Sequence, residues 1–228
     1  NDVGRSLRFL GRADEAERHL RKALDLRRSL EGADATTAGV PLSNLALVWL
    51  DRGAVNEAES AATEALAIAE RTVRAGHPSL AGRFHLLGNV RLAQRRLPEA
   101  EGLIRRGLEL YRSALPPTHF SIAEAELALA ETLLLAGRID DAEALATAAD
   151  ERLRRSFAEG GFRVGQAGAI LGACRAAAGG GPAAVRLAEA GYSGVVSELG
   201  EASPLAVRAR NFLESARAAA ASHPHPAD

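Results

Sequence analysis

The sequence predicts an all-α solenoid, an array of about five antiparallel helix pairs stacked side by side, and three observations lead there. Ala16, Ala58, Ala100, Ala142 and Ala184 fall 42 residues apart, and Leu45, Leu87, Leu129, Leu171 and Leu213 keep the same interval. Repetition at such a period means that each unit is one supersecondary piece, unable to bury its apolar face alone and dependent on its neighbours. Within a unit, apolar residues recur at the spacing of a helix face. Helix-stopping residues return at fixed positions between those faces.

Residues 35–76 show the layout. Leu42, Leu45, Ala46 and Trp49 stand at i, i+3, i+4 and i+7 and share one face of a first helix over about 36–52. Gly53 stops it, because glycine just past a helix adopts the left-handed conformation that closes the last carbonyls; the column reads Gly11, Gly53, Arg95, Gly137 and Gly179. Three residues on, Asp14, Asn56, Pro98, Asp140 and Pro182 either accept from free helical amides or pre-set the first helical φ, so a second helix starts there. Its inner face runs through Ala58, Ala62 and Ala65, repeated as Ala142, Ala146 and Ala149 and as Ala184, Ala188 and Gly191. Gly76, His77 and Pro78, then Pro116 and Pro117, then Gly160 and Gly161, then Gly200 and Pro204 break the chain between units.

In order, the expected elements are a partial helix over 1–10 and helices near 14–31, 36–52, 56–74, 79–95, 98–114, 120–136, 140–158, 163–177, 182–198 and 204–221. The array is read as one domain over 1–228, with repeat boundaries near 35, 77, 119, 161 and 203 and a disordered tail over about 222–228. The Gly-rich stretch 179–181 and the truncated start are expected to be its weakest links, with amides after about residue 160 exchanging early.

Composition narrows the function classes. Hydrophobic residues make up 47% and charged ones 25%, as in ordinary soluble folded domains. A net charge of −1 leaves no electrostatic footprint for nucleic acid or an anionic membrane, so neither is an expected partner. Cys174 is the single cysteine, which rules out an intrachain disulfide and a thiolate metal site and suits a reducing, cytoplasmic compartment. No run of about 18 apolar residues is present to cross a bilayer. With Asn1 first and no Met anywhere, the expectation is a piece of a longer polypeptide.

The residues of one unit also carry a family resemblance. Leu45 and Ala46, then Gly53, then Glu57, Ala58 and Glu59, then Ala65 and Leu66 resemble the tetratricopeptide pattern, with Ala46, Gly88, Ala130 and Gly172 as its small-residue column. The 42-residue period, Gly76-His77-Pro78 before a helix and Ser43-Asn44-Leu45-Ala46 within one resemble the tetratricopeptide variety of kinesin light chains, found in many bacterial proteins. Unit five departs from it, with AGGG over 178–181 and Arg175 where an aromatic is expected. The resemblance implies a right-handed α-α superhelix whose first helices line a concave groove for a peptide or protein segment. The function it implies is non-enzymatic protein binding. The alternative is a ligand- or peptide-sensing regulatory domain of a larger signalling protein, such as a bacterial Ser/Thr kinase or a transcriptional regulator.

Nothing in the sequence builds a catalytic or metal centre, and no cofactor is expected. His77 and His119 share a column at helix starts; equivalent positions of successive repeats stand about 10 Å apart, too far for the roughly 2 Å bonds of a shared zinc, so both are read as caps. Cys174 lacks a neighbouring base and is read as a small buried side chain. Paired acids such as Glu57 with Glu59 and Asp140 with Asp141 suit the positive ends of helices.

Positions about 100 to 200° round from the inner face should line the groove. The candidates are Ser43, Asn44, Leu47, Asp51, His85, Asn89, Glu124, Leu127, Glu131 and Gln166, with Val40 and Leu135 in the same columns. Asn44 and Asn89 each offer an amide donor and acceptor for the main chain of an extended peptide. In the kinesin light chain type, the Asn matching Asn44 does this. Asp51, Glu124 and Glu131 predict an acidic lining, hence a partner bearing Arg or Lys beside an apolar anchor, unless the acids only solvate a groove filled by another part of the parent chain.

Overall fold

In the computed structural model, which describes residues 1–32, 36–157 and 160–222, the chain forms eleven α-helices and one short 3₁₀ turn, with no strand among the described residues. The helices are α1 Asp2–Phe9, α2 Ala13–Glu31, α3 Gly39–Asp51, α4 Val55–Thr72, α5 Pro78–Ala93, α6 Leu97–Ala114, α7 Phe120–Leu135, α8 Ile139–Ser156, α9 Phe162–Ala177, α10 Gly181–Leu199 and α11 Pro204–Ser222. Every expected helix is present, with ends within about three residues of the sequence reading. Residue 158, expected to end α8, and the tail 223–228 lie outside the described residues.

Two compact units hold these helices, Asn1–Leu115 and Pro116–Asp228. In the first, α1–α2, α3–α4 and α5–α6 are antiparallel hairpins, with α2 beside α3 and α4 beside α5. In the second, α7–α8 and α9–α10 are hairpins, α8 lies beside α9, and α11 packs on both α9 and α10.

The alanine columns make this stacking possible. Ala16, Ala58, Ala100, Ala142, Ala184 and their partners Ala62, Ala146 and Ala188 are almost wholly buried, so two helices meet over methyl groups with little side-chain entropy to lose. The closest approach is in the hairpin the sequence reading took to be weak. A Cβ at Gly172 of α9 would stand 2.5 Å from the Ala188 nitrogen, and one at Gly191 of α10 would stand 2.3 Å from the Ala169 nitrogen. Glycine at both positions lets the two backbones touch. The expected looseness beyond residue 160 therefore finds no support in the packing.

Helix ends follow the predicted column. Gly11, Gly53, Gly137 and Gly179 have φ between 72 and 90°, and Arg95, with φ 60°, is the only non-glycine with positive φ among the described residues. In each case the next amide returns to a carbonyl in the helix just ended, Ala54 to Trp49 and Arg96 to Arg91, the six-residue closure of a Schellman cap.

The second-helix starts differ from the sequence reading in one respect. Asp14, Asn56, Pro98, Asp140 and Pro182 lie inside the first turn, not ahead of it, and the N-cap residues Arg12, Ala54, Arg96, Arg138 and Gly180 make no side-chain cap bond. The tight three-residue connection leaves no room for an extra capping residue. Instead, Arg12–Glu15, Arg96–Glu99 and Arg138–Asp141 close the first turn as i,i+3 ion pairs.

Candidate functional site

A stripe at i, i+4, i+7, i+11 of the first helices points away from the hairpin partner and, in α3, meets the first helix of the preceding repeat. In α3 it is Val40, Asn44, Leu47 and Asp51; in α5 it is Gly82, Leu86, Asn89 and Ala93. Val40 is 49% exposed, while Leu47 rests half-buried against the core. Asn44 donates from Nδ2 to Oδ1 of Asn1 at 3.0 Å. Asp51 receives the Arg8 guanidinium through two bonds, of 2.5 and 3.1 Å. On α5, Oδ1 of Asn89 is buried and has no hydrogen-bond partner. An unmet buried acceptor is uncommon and costs about 1–3 kcal/mol, which marks the position.

The second unit carries the corresponding stripe of Glu124, Glu131 and Leu135 in α7 and Gln166 in α9. Glu124 accepts from Nε of Arg163 at 3.1 Å, and that guanidinium lies 4.6 Å from the ring centres of both Phe120 and Phe162. Glu131 is bonded by Arg208 of α11, a residue in the same 42-residue column as Glu124 and Gln166. Gln166 is half-buried and Leu135 is 43% exposed.

Two expectations change on this geometry. Ser43 and Leu127 are buried, Ser43 donating to the Gly39 carbonyl at 2.8 Å, so neither can line an open face. The column they share with His85 is turned about 40° too far toward the hairpin contact, where the His85 backbone nitrogen stands 3.2 Å from the Cβ position of Gly107. The acidic lining is also neutralised. Asp51, Glu124 and Glu131 are each paired with an arginine of another first helix, so the charge that argued for a basic partner is already met within the chain.

The sequence reading missed the seams between repeats. Glu17 of α2 takes Arg52 of α3 at 2.6 Å, Glu59 of α4 takes Arg91 of α5 together with Nε2 of Gln94 at 2.6 Å, and Glu143 of α8 takes Arg175 of α9 at 3.2 Å. The Arg91 guanidinium, then the Gln94 amide, hold the Glu59 carboxyl below its usual range. The signal was present as a column, Glu17, Glu59, Glu101 and Glu143. The helix-dipole reading covers Glu59 alone of these four.

His77 and His119 act as caps: Nδ1 of each accepts from the amide two residues on, Ser79 at 3.1 Å and Ser121 at 3.2 Å. Cys174 is buried, and burial first, then Glu143, pushes its thiol up to about 12. Among the described residues no group of three His, Cys, Asp or Glu could hold a metal ion, and no helix is long and apolar enough to cross a membrane.

The tetratricopeptide repeat family model matches residues 1–71. Among solved structures, the chain is similar to nearly identical tetratricopeptide-like repeats of a putative kinesin light chain from P. anserina, with TM-score 0.65, 19% identity, and coverage of 86% of this chain and 92% of that one. It is similar to BtubC (BKLC) from P. vanneervenii, with TM-score 0.61, 19% identity, and coverage of 97% of this chain and 94% of that one. A Rap protein complexed with Competence and Sporulation Factor aligns at TM-score 0.65 and 16% identity, over 94% of this chain and 62% of that one. At these identities the likeness establishes the fold. No curated protein matches the chain.

Proposed function

We propose that this tetratricopeptide repeat array is a non-enzymatic module that holds an extended peptide or protein segment along the first-helix stripe of α3 and α5. The observation that carries the reading is Asn89, half-buried on the same stripe as Asn44, whose inward-turned Oδ1 has no partner and meets a peptide N–H once the amide turns outward. A peptide N–H is the group that such an acceptor lacks. Neighbouring first helices lie about 10 Å apart, close to three residues of extended chain, so one strand can meet both amides. Val40 and Leu47 supply apolar contact beside them. Because Arg8 already neutralises Asp51, recognition rests on main chain and apolar side chains more than on a basic partner.

The test is a peptide array of neutral, basic and acidic sequences probed with the chain, followed by titration of the binders. Asn89→Leu should weaken every binder by about tenfold, the worth of one or two hydrogen bonds, and N-methylation of the contacted peptide nitrogen should match that loss. Binders indifferent to both changes, or an array with no binders, overturn the reading. A second reading, a peptide-responsive sensor, is favoured by the Arg208–Glu131 bond, which reaches from α11 to α7 and could be exchanged for a ligand contact. A change in scattering radius on binding, lost in Glu131→Gln, distinguishes it from a rigid scaffold.

A further inference from the structure

We infer that a hollow where α8, α9 and α10 meet is a binding site for a free amino acid, held at once by its ammonium and its carboxylate. None of its residues belongs to the groove stripe, and its chemistry is read from the same columns of an earlier repeat.

The hollow has a volume of about 440 Å³ and is lined by Glu143 of α8, Arg175 near the end of α9, Ala178 and Gly180 in the connection, and Ala183 and Leu187 of α10. Two periods earlier these columns read Glu59, Arg91, Gln94, Arg96, Glu99 and Leu103. There the space is filled. Glu59 takes the Arg91 guanidinium, Nε2 of Gln94 at 2.6 Å and, at 3.8 Å, the guanidinium of Arg96. Arg91 in turn faces Oε1 of Gln94 at 2.8 Å and the Glu99 carboxylate at 3.3 Å. Arg96 and Glu99 are themselves joined at 2.7 Å. A linked cation and carboxylate thus lie over the seam pair, each against its opposite charge.

In the α9–α10 hairpin that layer is absent. Ala178, Gly180 and Ala183 replace Gln94, Arg96 and Glu99, while the seam pair beneath persists as Glu143 and Arg175 at 3.2 Å. The Arg175 side chain is 44% exposed, against 13% for Arg91. Glu143 engages only its Nε, so the remaining guanidinium donors have no partner among the described residues. The connection does not refill the space from within: a Cβ at Gly180 would stand 2.8 Å from the Arg175 carbonyl oxygen, so a side chain is excluded there.

The missing layer defines the ligand. A simple anion would meet Arg175 but also the like charge of Glu143, and a simple cation would meet the reverse. A molecule that carries both charges a few bonds apart satisfies both walls, as Arg96 and Glu99 do for Glu59 and Arg91. An α-amino acid is the smallest such molecule, a hollow of this volume admits it, and Leu187 with Ala178 offers apolar contact to its side chain.

The experiment is titration calorimetry of the chain with the common α-amino acids, one at a time. At least one should bind in the millimolar range or tighter, and its methyl ester and N-acetyl form, each lacking one charge, should bind at least about tenfold more weakly. The binder should also raise the midpoint of thermal unfolding, since it binds only the folded chain. Ala183→Glu returns a carboxylate to its place over Arg175 and should abolish binding; Ala183 is exposed and an acid suits the first turn of α10, so unfolding should come no earlier than in wild type. Glu143→Gln gives an independent reading and should weaken the free amino acid about tenfold. No binder among the amino acids, or a binder that both substitutions leave as tight, overturns the inference. So does an N-acetyl form as tight as the free amino acid, which assigns the hollow to a simple carboxylate.

Discussion

Replacing Arg95 by glycine should make the protein more stable. Arg95 occupies the helix-closing position that is glycine in every other repeat, with φ 60° and an exposed side chain. The left-handed conformation costs an L-residue about 1–2 kcal/mol. Glycine removes that cost but adds about 0.5–1 kcal/mol of unfolded-chain entropy. The net gain is therefore about 0.5–1 kcal/mol, which for a chain of this size raises the midpoint of thermal unfolding by about 1–4 °C. The assay is thermal and urea unfolding of wild type, Arg95→Gly and Arg95→Ala. Alanine keeps its Cβ and should stay near wild type. If alanine stabilises as much as glycine, the effect belongs to loss of the arginine side chain, and the conformational reasoning is refuted.

Other consequences of the structure can be measured in the same way. Arg152→Ala should cost about 3–5 kcal/mol because Glu126, 0% exposed, loses the guanidinium that faces it at 3.1 Å; Glu126→Gln in the same background should restore part of that loss in urea unfolding. Gly172→Val should destabilise by more than about 3 kcal/mol, since no rotamer moves a Cβ out of the Ala188 backbone; near-wild-type unfolding would show that α9 and α10 can separate cheaply. Cys174 should resist a thiol reagent at pH 8 until the helix pair opens, because its thiol titrates near 12. The Glu59 carboxyl is lower in the folded state than in the unfolded chain, so its contribution is present above the unfolded value of about 4.3 and disappears as pH falls through the lowered folded value; Glu59→Gln should flatten the acid limb of stability against pH.

Most of the fold was legible because it is written as columns. A 42-residue interval in Ala and Leu fixes hairpins, and a Gly column fixes where they turn, down to the strained Arg95. The second-helix starts were read one step late because Asp and Asn favour both the cap and the first turn, and only the short connection decides between them. Of the candidate site, Asn44, Leu47, Asp51 and Asn89 fall on one stripe, while Ser43 and Leu127 do not: 100° per residue separates an open face from a buried one by a single position. The pairing of Asp51 with Arg8, Glu124 with Arg163 and Glu131 with Arg208 could not be anticipated from charge alone, since each arginine comes from another first helix.

The seam pairs joining Glu17 to Arg52, Glu59 to Arg91 and Glu143 to Arg175 bear on how such a gene can change length. The glutamates keep the 42-residue interval, but the arginines do not: Arg91 and Arg175 share a column, Arg52 stands three residues beyond it, and Leu133 fills it after Glu101. Gain or loss of one whole period therefore keeps each carboxylate in register while the repeat that follows decides whether it meets an arginine.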